Sequence, residues 1–250
     1  MEYKNKNWLI DKYISEKLSA NEIGKLCGKT KLTIYNWLKK YNIPRRSIGE
    51  ASHLKQTHYC NLSQEAIEWI NGELLGDGCL QKTSKYSARF QYTSKHKKYI
   101  EYIRDTLKSF GIKQSGEIYK RHLTDRNMDC FTYQYHSLTY VELLSIRKQW
   151  YPNGKKIVPK DIELTPLVCR QWYIGDGFLK NKYKNPSIML STDNFTTSDV
   201  KYLVNKLFQI GINSQRQLSS NRIYIPIDSA KKFLKYIGNC PIECYKYKWG

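Results

Sequence analysis

The chain has 250 residues, with 42 lysines and arginines against 22 aspartates and glutamates, so its formal net charge is +20 at pH 7. The segment Met1–Trp8 is polar and no run of about 18 apolar residues occurs, which excludes a secretory signal and a membrane-spanning helix. The positive charge predicts a polyanionic partner. Nucleic acid is favoured over an acidic protein, because neutralised phosphates release their condensed counterions.

The seven cysteines are scattered and include no Cys-x-x-Cys pair. Cys240 and Cys244 are close enough in sequence to bind one metal ion, but no second pair accompanies them. We therefore expect free thiols and an intracellular, reducing compartment, such as a bacterial or phage-infected cytoplasm or an organelle matrix.

Residues 1–46 are predicted to form a small all-helical domain. Ser19 and Glu22 have the spacing of a capping box, and an amphipathic helix is predicted from about Lys31 to Lys40. This arrangement resembles the helix-turn-helix modules of bacterial and phage DNA-binding proteins, although a helical hairpin that only packs on the rest is an alternative. The side chains predicted to contact DNA here are those of Lys31, Thr33, Tyr35, Asn36, Arg45 and Arg46.

Residues 47–63 lack hydrophobic periodicity and are predicted to be a basic linker. An internal repeat follows it. Asp77 and Asp176, 99 positions apart, each lie in a Gly-Asp-Gly triplet at the end of an apolar helix, and a Gly-Ile pair follows at nearly the same distance in both copies. Residues 64–150 and 151–250 are therefore predicted to be duplicated halves.

Each half repeats the order helix, strands, helix, strands, helix. Strand-like runs at 88–93 and 187–192 precede amphipathic helices at 98–110 and 198–210. In the second half, Ile223 and Ile225 alternate with polar neighbours, which indicates a sheet with one buried and one polar face. The predicted fold class is α+β with antiparallel sheets.

The repeated aspartates indicate chemistry, because a carboxylate at a helix C-terminus adds to the negative end of the helix dipole. A divalent cation is a suitable compensation. Gly72 and Gly76 lie on one helix face, where a second helix can approach closely. If the two repeat helices pack side by side, Asp77 and Asp176 meet at one end, as metal-assisted phosphodiester hydrolysis requires. The carbonyls of Gly76 and Gly175 are candidate additional ligands; two ordinary capped helices are the alternative.

The chain from about Gln64 to Trp249 resembles the LAGLIDADG homing endonucleases in their single-chain, two-motif form. Residues 70–78 and 169–177 occupy the nine motif positions. The segment 151–159, the run Leu164–Leu167 and the ending Tyr247–Trp249 resemble the family's segments before the second motif and at the C-terminus.

The resemblance implies a pseudo-twofold αββαββα core whose sheets form a saddle in the DNA major groove. Asp77 and Asp176 would bind Mg²⁺, with Mn²⁺ or Ca²⁺ able to occupy the same sites. Lys156 and Lys248 would lie near the scissile phosphates, with Lys246 as a competitor for the second role. Both strands of a long double-stranded DNA site would be cut to leave 3′ overhangs. The protein would act as a monomer, and no membrane partner is expected.

Alternation along the strands gives candidate DNA contacts, although a register shift of one residue would move them to the core face. The candidates are Lys82, Lys85, Arg89, Gln91, Thr93, Lys120, Thr132, Gln134, Arg216, Arg222 and Tyr224.

The motifs also depart from the family pattern. Gln171 stands where Gly72 predicts a small residue, and Glu73 and Arg170 introduce charge; Ser94 and Asp193 are possible supporting polar positions. Two alternatives on the same fold stay open: a non-cleaving transcriptional regulator and an intron RNA-splicing maturase. The retention of both aspartates favours the nuclease over the regulator, whereas intron RNA as a partner stays possible.

Overall fold

The computed structural model describes residues 1–56, 58–125, 128–180 and 185–250. The chain divides into two compact units, Met1–Thr57 and His58–Gly250. Within the described ranges, no helix is both long and apolar enough to cross a membrane. All seven cysteines are free thiols.

The first unit is all-helical, as predicted. Its helices are α1 (Lys6–Ile10), which continues into a π-helical turn at Asp11–Ser15, α2 (Ala20–Leu26), α3 (Lys31–Lys40) and α4 (Ile48–Gln56). The capping box at the start of α2 is confirmed: the Glu22 amide donates to Ser19 Oγ at 3.2 Å, and the Ser19 amide donates to Glu22 Oε2 at 2.7 Å. The buried core residues of this unit are Tyr3, Leu9, Tyr13, Ala20, Ile23, Ile34, Leu38 and Ile43.

The linker prediction is wrong for α4, which lies inside residues 47–63. A second capping box starts this helix, because the Glu50 amide donates to Ser47 Oγ at 3.2 Å and the Ser47 amide donates to Glu50 Oε2 at 2.7 Å. Ile48 is 92% exposed, so α4 buries little apolar surface at its start and periodicity gives no signal there. The Ser-x-x-Glu spacing was the signal available in the sequence.

The second unit contains the two predicted halves, and each has the order αββαββα. The first half contains α5 (Gln64–Leu75), β1 (Cys79–Lys82), β2 (Ala88–Ser94), α6 (Lys97–Ser109), β3 (Tyr119–Asp125), β4 (Met128–His136) and α7 (Val141–Trp150). The second half contains α8 (Pro166–Asp176), β5 (Gly177–Lys180), β6 (Ser187–Leu190), α9 (Thr197–Gln209), β7 (Gln215–Arg216), β8 (Ile223–Ile225) and α10 (Ile227–Ile237), and a short 3₁₀ segment follows at Glu243–Lys248.

Each half forms one antiparallel four-stranded sheet, in the orders β1-β2-β4-β3 and β5-β6-β8-β7. Along β2, Phe90 and Tyr92 are buried, whereas Arg89 and Gln91 are half-buried on the opposite face. The inner faces of both sheets and the helices share one hydrophobic core. The predicted α+β fold with one buried and one polar sheet face is therefore confirmed.

Helices α5 and α8 pack directly against each other in this core. A Cβ atom on Gly72 would lie 2.6 Å from the Val168 carbonyl oxygen and 2.7 Å from Gln171 Cβ, so a larger residue cannot fit without displacing α8. Gln171 is tolerated at the small-residue position of the second motif because the residue that it faces on α5 is a glycine.

We predict that Gly72→Ala lowers the free energy of unfolding of the second unit by about 1–3 kcal/mol, the usual cost of overpacking. Urea unfolding followed by tryptophan fluorescence measures this loss. The control is Gly49→Ala in α4, where a new Cβ would lie 4.0 Å from Ser47 Oγ, an ordinary contact distance, so no loss is expected. An equal loss in both variants would contradict the assigned helix contact.

Candidate active site

The two repeated aspartates lie at the touching ends of α5 and α8. Asp77 follows the C-cap Gly76 and is exposed, whereas Asp176 is the last residue of α8 and is half-buried. A Cβ on Gly175 would lie 3.2 Å from the Asp77 nitrogen and 3.2 Å from Gly76 Cα. The backbones of the two motifs therefore meet, and the two carboxylates start from adjoining points at one end of the helix pair.

The two acids differ in their electrostatic surroundings. Burial raises the pKa of Asp176 to about 7, and the nearby Asp77 carboxylate raises it further. Lys156 and Lys248 act in the opposite direction. Burial disfavours the charged form of this carboxyl group in the free protein. A bound cation would stabilise the charged form and replace the proton.

One lysine donates to the end of each helix: Lys156 is half-buried and Lys248 is buried. Lys156 Nζ donates to the carbonyls of Gly76 and Gly78, both at 3.0 Å. Lys248 Nζ donates to the carbonyls of Ile174 at 2.5 Å and Gly175 at 3.1 Å. These lysines satisfy carbonyls left unpaired at the helix C-termini and bring positive charge to the negative dipole ends.

Burial lowers the pKa of both lysines, and that of Lys248 falls to about 8. Lys248 is 7% exposed, whereas the Lys246 side chain is 63% exposed and forms an ion pair with Glu243 at 2.5 Å. The structure therefore brings Lys248, not its competitor Lys246, to the end of α8. The carbonyl of Gly175 accepts from Lys248 and still has a second lone pair, as does that of Gly76.

Glu73 is a third acid near the site, noted in the sequence only as a departure from the motif. It is 1% exposed, and the Tyr99 hydroxyl donates to its Oε1 at 2.6 Å. Its Oε2 is buried without a hydrogen-bond partner among the described residues. Burial raises the pKa of Glu73 to about 8. No sequence signal revealed the Tyr99 contact, because Glu73 and Tyr99 lie on different helices.

The supporting polar positions do not touch the aspartates. Ser94 Oγ lies 3.4 Å from the Tyr245 hydroxyl, and Asp193 forms an ion pair with Arg222 at 2.9 Å. Asp77 instead accepts a hydrogen bond at 3.4 Å from the hydroxyl of Tyr92, which the sequence analysis did not single out.

The strand register defines which side chains share the polar face of the first sheet. Arg89, Gln91 and Gln134 are on this face, as predicted. Lys120 is not: its register partner is Tyr133, and its Nζ lies 3.7 Å from the centre of the Phe131 ring on the other face. Among the described residues, the accessible polar and aromatic side chains on this face include Gln81, Arg89, Gln91, Thr93, Tyr119, Arg121, Gln134 and His136.

Two further residues predicted to contact DNA are not accessible on the polar sheet faces. Thr132 is on the polar face but only 6% exposed, so neighbouring side chains cover its hydroxyl. Arg216 is paired with the core residue Ile223 and donates to Asn221 Oδ1 at 3.2 Å. Gln215 is exposed and paired with Tyr224, so it lies on the polar face of the second sheet.

The remaining basic residues of the second unit that were predicted to contact DNA are at least partly accessible to solvent. Lys82 and Lys85 are exposed, and the Lys85 ammonium lies 4.7 Å from the centre of the Tyr86 ring. Arg222 is half-buried and held by its ion pair with Asp193.

In the first unit, Lys31 and Asn36 are exposed on α3 and Arg45 lies over the half-buried Tyr35 ring at 4.1 Å. Arg46 does not fit a DNA contact, because its guanidinium donates to the carbonyls of Leu18 and Tyr13 and stacks on the Tyr13 ring.

The Thr33 hydroxyl lies 3.1 Å from Thr30 Oγ1 at the start of α3 and is half-buried. Leu32, which is 64% exposed beside Tyr35 and Asn36, is a candidate that charge-based reasoning missed.

A helix pair that joins two antiparallel sheets and carries an acid from each half at one end defines a pseudo-symmetric class of nucleic-acid enzymes. The chain belongs to the LAGLIDADG DNA endonuclease family, whose sequence pattern matches residues 67–233.

The chain is also similar to other proteins of known sequence or structure. The chain is 28% identical over 223 residues to the uncharacterized protein MJ1098 of Methanocaldococcus jannaschii, covering 86% of this chain and 85% of that one. It is 26% identical to the cytochrome b mRNA maturase bI2 of Debaryomyces hansenii, covering 76% and 75%. The fold is similar to that of the homing endonuclease I-WcaI bound to its DNA recognition sequence, with a TM-score of 0.68, 23% identity, and coverage of 84% of this chain and 97% of that one.

The raised pKa of Glu73 predicts a pH dependence of stability. The unfolded chain loses this proton near pH 4.5, whereas the folded protein keeps it to about pH 8. The folded state therefore binds more protons between these values, and its stability falls as the pH rises through that window. We expect Glu73→Gln to flatten the decline, measured by urea unfolding from pH 5 to 8 with a chelator present.

Glu65→Gln is the matched control, because Glu65 is an exposed glutamate of the same helix. This control is expected to keep the wild-type pH dependence. A slope unchanged by Glu73→Gln would contradict the assignment of a buried, protonated Glu73.

Proposed function

We propose that this protein is a site-specific, homing-type endonuclease that hydrolyses both strands of a long DNA target with divalent metal and leaves 3′ overhangs. The observation that carries the proposal is the meeting of Asp77 and Asp176 at one end of the helix pair, with Lys156 and Lys248 donating to the adjoining carbonyls. Both halves of the site come from one chain, so we propose a monomer.

The residues present fit a divalent cation. Carboxylates and backbone carbonyls are the hard oxygen donors that Mg²⁺ prefers, and Mn²⁺ or Ca²⁺ accept the same donors. Within the described ranges, no group of three His, Cys, Asp or Glu side chains could hold a metal ion without further ligands. Asp77, Asp176 and the carbonyls of Gly76 and Gly175 would therefore hold the ion together with DNA phosphate oxygens. When bound, the ion would stabilise the charge that develops on the reacting phosphate.

The chain's own lysines have a complementary role. Their Nζ atoms are fixed by two carbonyls each, so they stay beside the acids without ion-pairing to them directly. Fixed positive charge in a partly buried site stabilises a developing phosphate charge at no cost of reorganisation. With a pKa of about 8, Lys248 also exchanges a proton readily near neutral pH.

DNA would lie along the polar faces of the two sheets. The first sheet presents Arg89, Arg121 and Gln134, and the second presents Gln215 and Tyr224. Arginine and glutamine suit bidentate contacts to guanine and adenine. The net charge of +20 supplies the attraction to phosphates. The first unit would add contacts through α3, whose exposed side chains include Lys31, Leu32 and Asn36.

A second candidate function is RNA binding by a maturase, because one similar protein is named as an mRNA maturase. The two functions give different results with the same preparation. Incubating the protein and Mg²⁺ with a randomised DNA library and sequencing the cut ends is expected to recover one long site with 3′ overhangs. Recovery of no cut DNA, with tight binding to an intron transcript, would favour the maturase.

We predict that Asp77→Asn and Asp176→Asn each lower the rate of double-strand cleavage by more than about 100-fold, since loss of an outer partner of a metal ligand alone costs about 10- to 100-fold. DNA affinity measured in Ca²⁺ is expected to stay within a few-fold of the wild type. The surface variant Asp105→Asn is the control. Full cleavage by either site variant would refute the assigned mechanism.

We also predict that Arg121→Ala weakens binding to the selected DNA site by about 1–3 kcal/mol, the usual value of a good base contact. Lys120→Ala removes the same charge from the neighbouring position on the opposite sheet face and is expected to cost clearly less. Electrophoretic mobility shift at fixed salt measures both. A larger effect of Lys120→Ala would reverse the assigned face of β3.

A further inference from the structure

Three buried tyrosines connect Glu73 to the first catalytic candidate. We define the tyrosine cluster as Tyr92, Tyr99 and Tyr245, which are all less than 10% exposed. Tyr99 donates to Glu73 Oε1 at 2.6 Å, and its ring meets that of Tyr92 edge-on at 5.4 Å. The Tyr92 hydroxyl in turn donates to Asp77 Oδ2 at 3.4 Å. A continuous chain of contacts thus runs from Glu73 to the carboxylate of Asp77.

The cluster also reaches the second half of the site. The ring of Tyr245 meets that of Tyr99 edge-on at 4.9 Å, and Lys248 Nζ lies 5.0 Å from the centre of the Tyr245 ring. Tyr99 is therefore the centre of the cluster, and among the described residues its hydroxyl donates to Glu73 alone. Without that acceptor, the Tyr99 hydroxyl would be buried without a partner, which is unfavourable. The Tyr99 ring would then no longer be fixed in the position against which the Tyr92 and Tyr245 rings pack.

The second half has no counterpart of this chain at the matching positions. The alignment of α5 with α8 places Trp172 opposite Glu73. The strand register, in which Gln91 and Met189 are paired with Cys79 and Phe178, places Leu190 at the position of Tyr92.

The alignment of α6 with α9 places Asp199 at the position of Tyr99. Asp199 serves as the capping residue of α9, since it accepts from the Thr196 hydroxyl at 2.7 Å. The two halves therefore support their acids by different means.

We propose that Glu73 is a positioning residue which, through the tyrosine cluster, holds Asp77 in the orientation that binds a divalent cation, and that this support is specific to the first half of the site. The expected effect on cleavage rests on the proposed function. Because Glu73 supports only Asp77, cleavage of one DNA strand is expected to depend on Glu73 more than cleavage of the other. Outer partners of metal ligands commonly contribute about 10- to 100-fold in affinity or activity.

The test compares Tyr99→Phe, Glu73→Leu and Glu73→Gln on DNA labelled separately on each strand. Tyr99→Phe and Glu73→Leu are expected to lower kcat on one strand by about 10-fold or more, with KM unchanged. Glu73→Gln is expected to restore most of the rate, because its amide oxygen still accepts from Tyr99. Tyr99→Phe combined with Glu73→Leu is expected to lose no more than either alone, as for two residues of one contact.

Tyr140→Phe is the matched control, because Tyr140 is a buried tyrosine of the same half whose hydroxyl is hydrogen-bonded to Gly111 and Lys113 away from the acids. It is expected to leave the ratio of the two strand rates unchanged. Equal slowing of both strands by Tyr99→Phe, or the same change of ratio in Tyr140→Phe, would overturn the proposal. Because Tyr99→Phe keeps the ring, its melting temperature shows whether the loss is one of folding.

A second readout does not depend on cleavage. Calorimetric Mn²⁺ titration of the protein alone, with Asp77→Asn as reference, identifies the heat that depends on Asp77. Tyr99→Phe is expected to weaken that binding by about 10-fold, and Tyr140→Phe to leave it unchanged. If the wild type cuts no DNA, the proposed function fails and this titration still decides the role of Glu73. Wild-type cleavage and Mn²⁺ binding in Tyr99→Phe would overturn the inference alone.

Discussion

The close contact between α5 and α8 is the constraint on which the rest of the second unit depends. At Gly72 the two helices approach so closely that a single Cβ would collide with the Val168 carbonyl and with Gln171. Two helices in such contact over their length bring their C-terminal ends together, so Asp77 and Asp176 become neighbours as a consequence of packing. Each sheet then extends from its own helix, because β1 begins directly after the first Gly-Asp-Gly triplet and β5 begins at the last glycine of the second. The site and the polar sheet faces thus have a common geometric origin.

This packing has an electrostatic cost, since it gathers two helix C-termini and two carboxylates at one point. Lys156 and Lys248 offset part of it by donating to the terminal carbonyls, and burial of these ammonium groups lowers their pKa in turn. The electrostatic cost that the lysines do not offset falls on Asp176, whose pKa rises to about 7. A folded site that disfavours the charged form of Asp176 is not optimal for stability, but this carboxyl group is suited to bind a cation. Strain of this kind is expected where function outweighs stability.

The duplicated motif was sufficient to predict the fold and the helix pair, because those features are local in sequence or repeated. Lys156 and Lys248 were expected from the resemblance to the family, and the structure brings both to the ends of the helix pair. Three kinds of feature were missed. Along β3, Tyr119, Lys120 and Arg121 are all exposed, so alternation of burial could not define the register. Lys120 was therefore predicted on the polar face, where the structure places Arg121. Helix α4 begins with an exposed Ile48 and therefore lacks an apolar signal. Glu73 appeared to be a fault in the motif, because its partner Tyr99 is contributed by another helix.

The halves of the second unit differ in more than their support of the acids. Strands β2 and β4 of the first sheet have seven and nine residues, whereas β6 and β8 have four and three. The longer strands present more accessible polar side chains, so base discrimination is expected to be concentrated on one half of a target. The same half contains Glu73 and the tyrosine cluster. A duplicated chain can place the longer strands and the tyrosine-supported acid on one side, since each copy of a single-chain repeat is free to diverge while the packed helix pair preserves the common site.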